Sequence, residues 1–335
     1  MATLHDIAQA AGVNIATVSR AINGNKGVSE QLRRKIIALA REMNYISNRR
    51  EIEYSFKSIK TIGLVCPELK SEYYADVVDA VQERVKENGY TTLLAVSNFQ
   101  VQDEREMVSV FGFKGVDGIM LVTNSPAKSL EWIGEFHIRS NIPVVLIHHG
   151  DAPPIEIDML CIDNAAGIEL ALGHLFSLGH SDILYMGENL TIAREEAYVR
   201  VMYERLPHTA PRIIRVGTRF EEAGYEAASR LLQSGDKLPT AIFAAYDRVA
   251  IGAIRALQEA GISVPEDISI IGIDNIQITP YLYRKLTTVS SPVNELGAIA
   301  SKILFDKIDS PGRVVQRVQI IPKLYVRETT AMIKL

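Results

Sequence analysis

Apolar residues from position 61 onward fall into short continuous runs that alternate with longer stretches of helical periodicity. Continuous runs rich in Val and Ile are typical of parallel strands whose sheet is covered by helices on both faces. Roughly nine such units exceed one typical sheet, so we expect two doubly wound lobes of about four or five strands each. The predicted strands are Thr61–Cys66, Thr91–Val96, Gly118–Val122, Pro143–Ile147, Asp182–Met186, Ile213–Val216, Thr240–Ala245 and Ile268–Ile273.

Amphipathic stretches between these strands predict the covering helices, and Gly89, Gly179 and Gly261 stand where three of them should end. Ligands of doubly wound sheets bind beyond the carboxyl ends of the strands, so two facing lobes would enclose a cleft. The predicted helices include Ala75–Asn88, Ala165–Leu178, Glu221–Leu232 and Arg248–Ala260.

The N-terminal segment has a different pattern, which predicts three short helices. Thr3 and Asp6 have the spacing of a capping box, Gly12 permits a tight turn, and the second helix is expected from Ile15 to Asn23 with Asn14 as its cap. The apolar positions at helical spacing are Leu4, Ile7, Ala8 and Ala11, then Val18 and Ile22, then Leu32, Ile36, Leu39, Ala40 and Met43 after a cap at Ser29. This arrangement favours a helix-turn-helix, whose second helix fits the DNA major groove. A three-helix cap without a ligand is the alternative.

Charge is unevenly distributed along the 335-residue chain, whose formal net charge is −4. Residues 1–60 contain ten Lys and Arg against five acidic residues, which gives this segment +5 and leaves −9 on the rest. A basic head on an acidic body favours a polyanion as partner of the head. An ordinary solvated surface is the alternative.

Composition restricts the class of protein further. A chain of this length with 47% apolar residues supports two or three folded domains and argues against disorder. Its two cysteines, Cys66 and Cys161, argue against a disulfide scaffold and favour a reducing compartment. No apolar stretch approaches the roughly 20 residues that cross a bilayer, and the N-terminus does not read as a secretory signal. We therefore expect a cytoplasmic protein without a membrane partner.

The residues of the head match a known bacterial family at nearly every position from Thr3 to Tyr45. The matching motifs are Thr3-Leu4-His5-Asp6-Ile7-Ala8, Gly12-Val13, Ala16-Thr17-Val18-Ser19-Arg20, Asn23-Gly24 and Val28-Ser29. They resemble the helix-turn-helix head of the LacI/GalR family of bacterial transcription regulators. The resemblance implies a homodimer that binds double-stranded operator DNA of pseudo-palindromic sequence.

The resemblance also assigns DNA contacts to individual residues. Ile15, Ala16 and Arg20 match base-reading positions, where Arg20 can donate to a guanine edge and the other two can contact thymine methyl groups. The positions that contact phosphates are matched by Thr3, Thr17, Ser19, Asn23 and Tyr45. Helix capping is the alternative for Thr17 and Ser19, and core packing is the alternative for Tyr45.

An atypical linker at residues 47–60 follows the DNA-binding domain at residues 1–46. The family usually has a Pro and then an Ala-Arg-x-Leu segment, whose hinge helix wedges its Leu into the minor groove. Here Ser47 replaces the Pro, and Glu51-Ile52-Glu53-Tyr54 stands in place of the helix motif. Tyr54 is the candidate wedge, but the two carboxylates repel phosphates. We expect a linker that stays disordered, docks on the body, or binds an operator with less bending.

The body resembles the effector domain of the same family, which is itself similar to periplasmic sugar-binding proteins. The matching motifs are Ile62–Val65, Gly115–Ile119, Ile142–Val145, Leu178–His180, Pro239–Phe243, Val264–Ser269 and Leu286–Val289. Three crossings between lobes are implied, near residues 160, 290 and 319. We therefore assign residues 61–160 and 290–318 to an N-terminal lobe, and residues 161–289 and 319–330 to a C-terminal lobe. The predicted fold class is α/β, with an all-α helix-turn-helix head and a bilobal, doubly wound periplasmic-binding-protein-like effector domain.

Two charged residues are expected to face the cleft. Arg194 matches an Arg of the family, and Asp274 ends the predicted strand Ile268–Ile273. An Arg that donates and an Asp that accepts can bracket adjacent hydroxyl groups of a sugar. An exposed salt bridge is the alternative for Arg194, and a turn or cap role is the alternative for Asp274.

Four further residues are candidates for binding the effector. Tyr246 replaces an Asn that is common in the family, and His148 stands where an acid is often found. Tyr73 and Tyr74 match an aromatic pair that lines the pocket or its approach. Packing is the alternative for all four.

Catalytic and cofactor motifs are missing from the sequence. The Gly115–Gly118 spacing is not that of a phosphate loop, which has a Lys followed by Ser or Thr. His148, His149 and Asp151 are a poor metal site, because adjacent strand side chains point to opposite faces. We therefore expect no enzyme, no metal and no cofactor.

The predicted function is a sequence-specific repressor of carbohydrate metabolism genes that a sugar or sugar-like effector controls allosterically. A sugar phosphate or a nucleoside is the alternative effector, and corepression is the alternative to induction. The alternative function is a cytoplasmic sugar-binding sensor with weak or non-specific DNA binding. Tetramers of the family use an additional C-terminal leucine-rich helix, whereas this sequence ends soon after Thr330, so we expect a dimer.

Overall fold

The computed structural model describes residues 3–22, 27–43, 45, 60–148 and 155–333. The chain divides into two compact units, Met1–Lys60 and Thr61–Leu335. Within the described ranges, no helix combines the length and the apolar content that a membrane span requires.

Three helices form the described part of the first unit: α1 Leu4–Ala11, α2 Ile15–Ile22 and α3 Glu30–Glu42. The predicted capping box starts α1, because the Thr3 hydroxyl accepts from the Asp6 amide and the Asp6 carboxylate accepts from the Thr3 amide. α1 ends at Gly12, whose φ of +70° lies in the left-handed region that glycine adopts without strain. Asn14 precedes α2 and accepts from the Thr17 amide at 2.8 Å.

Apolar side chains on the inner faces of the three helices form the core of the head. Ile7 of α1, Val18 of α2 and Ile36 of α3 are fully buried against one another. These positions belong to the predicted apolar stripes, so the sequence pattern correctly predicted both the helices and the faces that they bury. The last residue of the predicted second helix, Asn23, lies outside the described residues.

The second unit contains two six-stranded sheets, one in each lobe. The strands of the first sheet are β1 Thr61–Cys66, β2 Thr91–Val96, β3 Gly118–Thr123, β4 Val144–His148, β5 Asp158–Ile162 and β11 Arg317–Ile320. Their spatial order is β11-β5-β4-β3-β1-β2, and all neighbouring strands are parallel. The helices of this lobe are α4 Glu72–Glu87, α5 Val101–Lys114, α6 Glu131–Ser140 and α11 Val293–Asp309.

The second sheet repeats this arrangement. Its strands are β6 Ile183–Glu188, β7 Arg212–Val216, β8 Ala241–Ala244, β9 Ser269–Asp274, β10 Thr287–Ser290 and β12 Leu324–Tyr325, in the order β12-β10-β9-β8-β6-β7. Only the pairing of β12 with β10 is antiparallel among these described strands. The helices are α7 Asn164–Ser177, α8 Ile192–Arg205, α9 Phe220–Gln233 and α10 Asp247–Glu259, and 3₁₀ turns occur at Ala127–Leu130, Asn189–Thr191 and Thr279–Tyr281.

The chain passes between the two sheets three times, after β5, after β10 and after β11. Each lobe is therefore built from segments that are distant in the sequence. The three connecting segments are the places where a change in the angle between the lobes would be absorbed.

Each sheet contains six strands, although the hydrophobic pattern predicted only four or five. The four strands that the pattern did not identify are β5, β10, β11 and β12. β12 has only two residues, which is too short for periodicity to be detected. β10 begins with Thr287 and Thr288, whose buried hydroxyls bond to Thr330 and Asp247, so a polar sequence forms a fully buried strand.

Helices α9 and α10 pack with almost no space between their backbones. A Cβ atom on Gly252 would lie 1.8 Å from the carbonyl oxygen of Glu221, and one on Gly224 would lie 1.9 Å from that of Val249. Both distances are far below van der Waals contact, so this helix pair depends on glycine at both positions.

Candidate functional site

The exposed face of α2 carries the three residues that match base-reading positions. Ile15, Ala16 and Arg20 are all solvent-exposed, whereas Val18 and Ile22 on the opposite face are buried. The Nε atom of Arg20 donates to the carbonyl oxygen of Ala16 at 3.2 Å, one turn earlier in the helix. The terminal nitrogens of an arginine held in this way can still donate to a base edge.

The residues that match phosphate-contacting positions have local partners in the head. The Thr3 hydroxyl donates to Asp6 at 2.8 Å and the Thr17 hydroxyl donates to Asn14 at 2.8 Å, so both threonines also take part in helix capping. Ser19 is half-buried on α2. Tyr45 is half-buried against the helical core, and its amide donates to the Ala40 carbonyl at 2.8 Å.

Some predicted positions lie outside the described residues. They are the phosphate-contacting candidate Asn23, the hinge candidate Tyr54, the linker at 47–59, and His149 and Asp151 of the rejected metal site.

A cavity of about 490 Å³ lies between the two lobes of the body. Residues at or just beyond the carboxyl ends of the strands line it from both lobes, as expected for doubly wound sheets. The first lobe contributes Glu68, Ser71, Tyr73, Tyr74, Phe99, Val101, Asn124, Ser125, Pro126 and Ile162. Ile162 belongs to this lobe because β5 of the first sheet extends to it, two residues beyond the predicted boundary at residue 160. The second lobe and the crossing segments contribute Asn164, Glu188, Asn189, Leu190, Thr191, Ile192, Ala193, Arg194, Arg219, Phe220, Tyr246, Asp274 and Ser291.

The structure brings Arg194 and Asp274 together in this cavity. The Nη2 atom of Arg194 donates to Asp274 at 3.2 Å, and Nη1 donates to the carbonyl oxygen of Ala245 at 2.5 Å. Ser291 donates to the same oxygen of Asp274 at 3.0 Å. Burial raises the pKa of Asp274, and the charge of Arg194 and the hydrogen bond from Ser291 oppose this increase. The pair presents charged hydrogen-bonding groups of both signs to a ligand.

Asp274 occupies an unusual backbone conformation that its neighbours stabilise. Its φ is +110° and that of Asn275 is +54°, a region that residues other than glycine rarely adopt. The buried carboxylate of Asp247 accepts from the Ile276 amide at 2.9 Å, and Arg327 donates to the side chain of Asn275 at 2.6 Å. Burial raises the pKa of Asp247 well above its usual range, and the nearby charge of Asp274 adds to this effect.

Aromatic rings form much of the remaining cavity wall. Tyr73 and Tyr74 on α4 meet edge to face at 5.1 Å, and Tyr74 meets Phe99 at 5.8 Å. Across the cavity, the Tyr246 hydroxyl accepts from the Phe220 amide at 3.0 Å, and the two rings are 6.3 Å apart. The three predicted tyrosines therefore line the cavity, and their rings offer surfaces on which the apolar face of a sugar or a planar base can pack.

His148 does not line the cavity, contrary to the sequence-based expectation. Its ring is buried at the end of β4, where Nε2 donates to the carbonyl oxygen of Ser125 at 2.8 Å. Ser125 itself lines the cavity and donates through its hydroxyl to the buried Glu104. His148 therefore supports the cavity wall from behind, through its hydrogen bond to the carbonyl oxygen of Ser125.

A network of charges crosses the cavity between the lobes. Arg219 precedes α9 in the second lobe, and its terminal nitrogens donate to both oxygens of Glu68 in the first lobe at 2.7 and 2.9 Å. Its Nε atom lies 3.4 Å from Glu188 at the end of β6. The ring of Phe220 lies 4.5 Å from the guanidinium carbon.

Sequence reasoning did not identify Glu68, Glu188, Arg219 or Phe220. The sequence does contain a signal for two of these residues: Glu188 ends one apolar run that predicts a strand, and Glu68 closely follows another. In a doubly wound fold, polar residues at the carboxyl ends of strands are the first candidates for ligand contacts.

Known protein families match both parts of the chain. The family described as "Bacterial regulatory proteins, lacI family" matches residues 3–48, and the "Periplasmic binding protein-like domain" matches residues 172–330. The first match covers the described helices of the head. The second covers most of the second lobe and the C-terminal segments that return to both sheets.

Relatives of similar length share both parts. The HTH-type transcriptional regulator DegA of Bacillus subtilis is 33% identical over 98% of each chain. The HTH-type transcriptional repressor PurR of Serratia proteamaculans is 32% identical over 99% of this chain and 97% of that protein.

Solved structures of regulators have the same fold. A lac repressor dimer bound to operator and the anti-inducer ONPF superposes with a TM-score of 0.74 at 26% identity, over 98% of this chain and 99% of that chain. A LacI family regulator from Enterococcus faecium with bound ribose gives 0.71 at 28% identity, over 82% and 100%. The chain therefore belongs to the lacI family of bacterial regulatory proteins and is a DNA-binding transcriptional regulator, not an enzyme.

Proposed function

We propose that this protein is a homodimeric repressor of carbohydrate metabolism genes, released from its operator or held on it by a small hydroxyl-rich effector. The observation that carries the proposal is the cavity between the lobes, where a half-buried Arg194–Asp274 pair and aromatic rings face a space of about 490 Å³. That volume lies in the range of small-molecule sites in general.

The exposed face of α2 supports sequence-specific reading of DNA. Arg20 can donate to the two acceptors of a guanine edge, and Ile15 and Ala16 can contact thymine methyl groups. The charge of +5 on residues 1–60 supplies the sequence-independent attraction to phosphates. The similar lac repressor structure is described as bound to operator.

The chemistry of the cavity supports a sugar-like effector. Carboxylate, guanidinium, amide and hydroxyl groups can pair with the alternating donors and acceptors of a polyol, while the rings cover its apolar faces. The similar Enterococcus faecium regulator is described with bound ribose. The Arg194–Asp274 pair lies on the second lobe and the Tyr73–Tyr74 pair on the first, so one ligand that contacts both would favour a particular angle between the lobes.

Exposed apolar side chains on the body support a homodimer. Phe113 and Val110 project from α5, and Tyr281 and Tyr283 project from the second lobe; Phe113 and Tyr283 are more than nine-tenths exposed. Exposed aromatic side chains are enriched at protein–protein interfaces, so these positions are candidates for contact with a second copy. A second copy is the partner proposed here, in line with the dimer described for the similar lac repressor.

The first test is the selection of bound duplexes from a random DNA library at about physiological salt. A recovered pseudo-palindrome is expected, and binding to it should weaken steeply with salt because several phosphates are neutralised. Candidate sugars are then added to the complex with this operator. Recovery of random sequences alone, both with and without sugars, would instead favour the sugar-binding sensor with non-specific DNA binding.

A further inference from the structure

The charged groups of the cavity wall determine which effectors it accepts. Among the described residues that line the cavity, five have formally charged side chains: Glu68, Glu188, Asp274, Arg194 and Arg219. Three carboxylates against two guanidinium groups leave one negative charge in excess. A ligand in this cavity is therefore surrounded by a wall of net negative charge.

Both guanidinium groups are already neutralised by the protein. Arg194 is paired with Asp274, and Arg219 donates to both oxygens of Glu68. The side chain of Glu68 is only 9% exposed and that of Arg219 is 31% exposed, so the carboxylate is sheltered from solvent and the guanidinium is partly solvated. A phosphate or carboxylate of a ligand would compete with Glu68 for the same nitrogens, and a displaced Glu68 would be left as a buried, unpaired charge.

The guanidinium group of Arg219 also contacts two aromatic rings. Its central carbon lies 4.5 Å from the centre of the Phe220 ring and 5.5 Å from that of Phe99. The rings and the bidentate carboxylate hold this arginine in one position across the cleft, which further disfavours its rotation toward an anionic ligand.

Glu188 supplies the excess negative charge and retains capacity to accept hydrogen bonds. Its side chain is only 3% exposed, and Oε2 accepts from the Leu190 amide at 2.8 Å. The contacts of Oε1 are long, at 3.3 Å from the Tyr246 hydroxyl and 3.4 Å from Nε of Arg219. A hydroxyl or ammonium group of a ligand would be a better donor to this oxygen than either of them.

We propose that the cavity selects an uncharged or amine-bearing polyol and excludes phosphorylated and carboxylated ones, with Glu188 accepting from a donor group of the ligand. The inference rests on the proposed function in taking this cavity as the effector site. The sequence left a sugar, a sugar phosphate and a nucleoside as possible effectors. An excess of negative charge in the cavity wall excludes the sugar phosphate.

Inorganic phosphate titrated into the full-length protein tests the proposal without an identified effector. The cavity carries one excess negative charge in the wild type, none in Glu188→Gln, and one excess positive charge in the double variant Glu68→Gln/Glu188→Gln. Binding is measured by calorimetry and by the shift in Tm, with chloride keeping the ionic strength constant. We expect no saturable binding to the wild type below about 10 mM, and an affinity that rises about tenfold with each carboxylate removed.

Glu195→Gln is the matched control. Glu195 is similarly sheltered at 11% exposure and pairs with Arg215, but neither residue lines the cavity. This variant should bind phosphate no more tightly than the wild type. Circular dichroism of every variant establishes that it is folded, and the Glu188→Gln variant alone decides the outcome if the double variant unfolds.

Millimolar, saturable phosphate binding by the wild type would overturn the proposal, as would variants whose affinity equals that of the wild type or of Glu195→Gln. The titration uses neither operator nor effector, so its failure is distinguishable from failure of the proposed function. If the operator experiment identifies a sugar phosphate as effector, the proposed function stands and this inference is wrong.

Discussion

Arg20 is an exposed side chain that is expected to contribute to DNA sequence specificity and not to the folding stability of the head. It lies on the outer face of α2, where its Nε atom donates to the Ala16 carbonyl of its own helix. Replacement with Ala should lower discrimination between the operator and a mismatched site by about 1–3 kcal/mol, because a bidentate contact to a base edge is lost. Fluorescence anisotropy on matched and mismatched duplexes measures this ratio, and thermal unfolding should be nearly unchanged.

Arg34→Ala provides the comparison for this prediction. Arg34 is also exposed in the head and pairs only loosely with Glu30, at 3.7 Å. Its loss should leave the ratio of affinities for matched and mismatched duplexes unchanged. Equal discrimination by the Arg20→Ala variant and the wild type would remove Arg20 from the base-reading set.

Asp274 is predicted to separate effector binding from DNA binding. Asp274→Ala and Asp274→Asn should weaken effector binding by about 10–100-fold, because a charge-assisted hydrogen bond to the ligand is lost. Affinity for the operator without effector should stay normal, since the residue lies in the second lobe of the body. The effector-induced shift in Tm and operator release are measured together.

The Asn variant keeps an acceptor for Arg194 and Ser291, and so distinguishes loss of the ligand contact from disruption of the half-buried pair. Asp182→Asn is the control, because Asp182 pairs with Arg212 at 2.9 Å but does not line the cavity. If the Asp274 variants respond to effector like this control, the assignment of Asp274 to the effector site is wrong.

The site residues that the sequence predicted stand at recognisable motif positions, whereas the Glu68–Arg219 pair that it missed joins residues far apart in the sequence. Arg194, Asp274 and the tyrosines stand at motif positions, so their approach to the cavity could be predicted. The pairing of Glu68 with Arg219 spans 151 positions of sequence and two lobes. No local pattern encodes such a contact, which depends on how the lobes are placed by the whole fold.

At the scale of elements, the sequence predicted most of the helices and strands whose apolar residues recur in a regular pattern. The helices of the head were predicted from apolar residues at helical spacing, because one face of each helix is buried. Eight strands were predicted from continuous apolar runs, because both faces of most of these strands are buried. β10 and β12 show no such pattern. β10 is polar, and its threonine hydroxyls form hydrogen bonds inside the lobe, whereas β12 has only two residues. Their identification requires the neighbouring strand β9 and the returning C-terminal segment.

The close packing of α9 on α10 gives a prediction at this scale. Gly252→Ala places a methyl group 1.8 Å from the Glu221 carbonyl oxygen, so the helices must separate. We expect a loss of about 1–3 kcal/mol in the free energy of unfolding, measured by denaturant titration. Gly173→Ala in α7 is the control: its Cβ would meet nothing within 4 Å, and the change should stabilise the helix by up to about 1 kcal/mol. Equal stability of the two variants would show that the helix pair can adjust at no cost.

The whole molecule combines a basic head with a body of two lobes that three chain segments connect. In the proposed mechanism, effector binding changes the angle between the lobes, and the dimer converts this change into a different spacing of its two heads. The heads themselves keep their structure, because their core is formed entirely by residues of the first unit.

This mechanism predicts that the effector acts on a full operator and not on half of one. With saturating effector, affinity for the pseudo-palindrome should change by about tenfold or more, while affinity for a duplex carrying a single half-site should stay constant, because only the full site requires a fixed spacing. Anisotropy titrations of both duplexes, with and without effector, measure the two effects. A decrease on the full site identifies an inducer and an increase identifies a corepressor. An equal change on both duplexes would instead mean that the effector alters the reading helix itself, and the mechanism based on head spacing would be wrong.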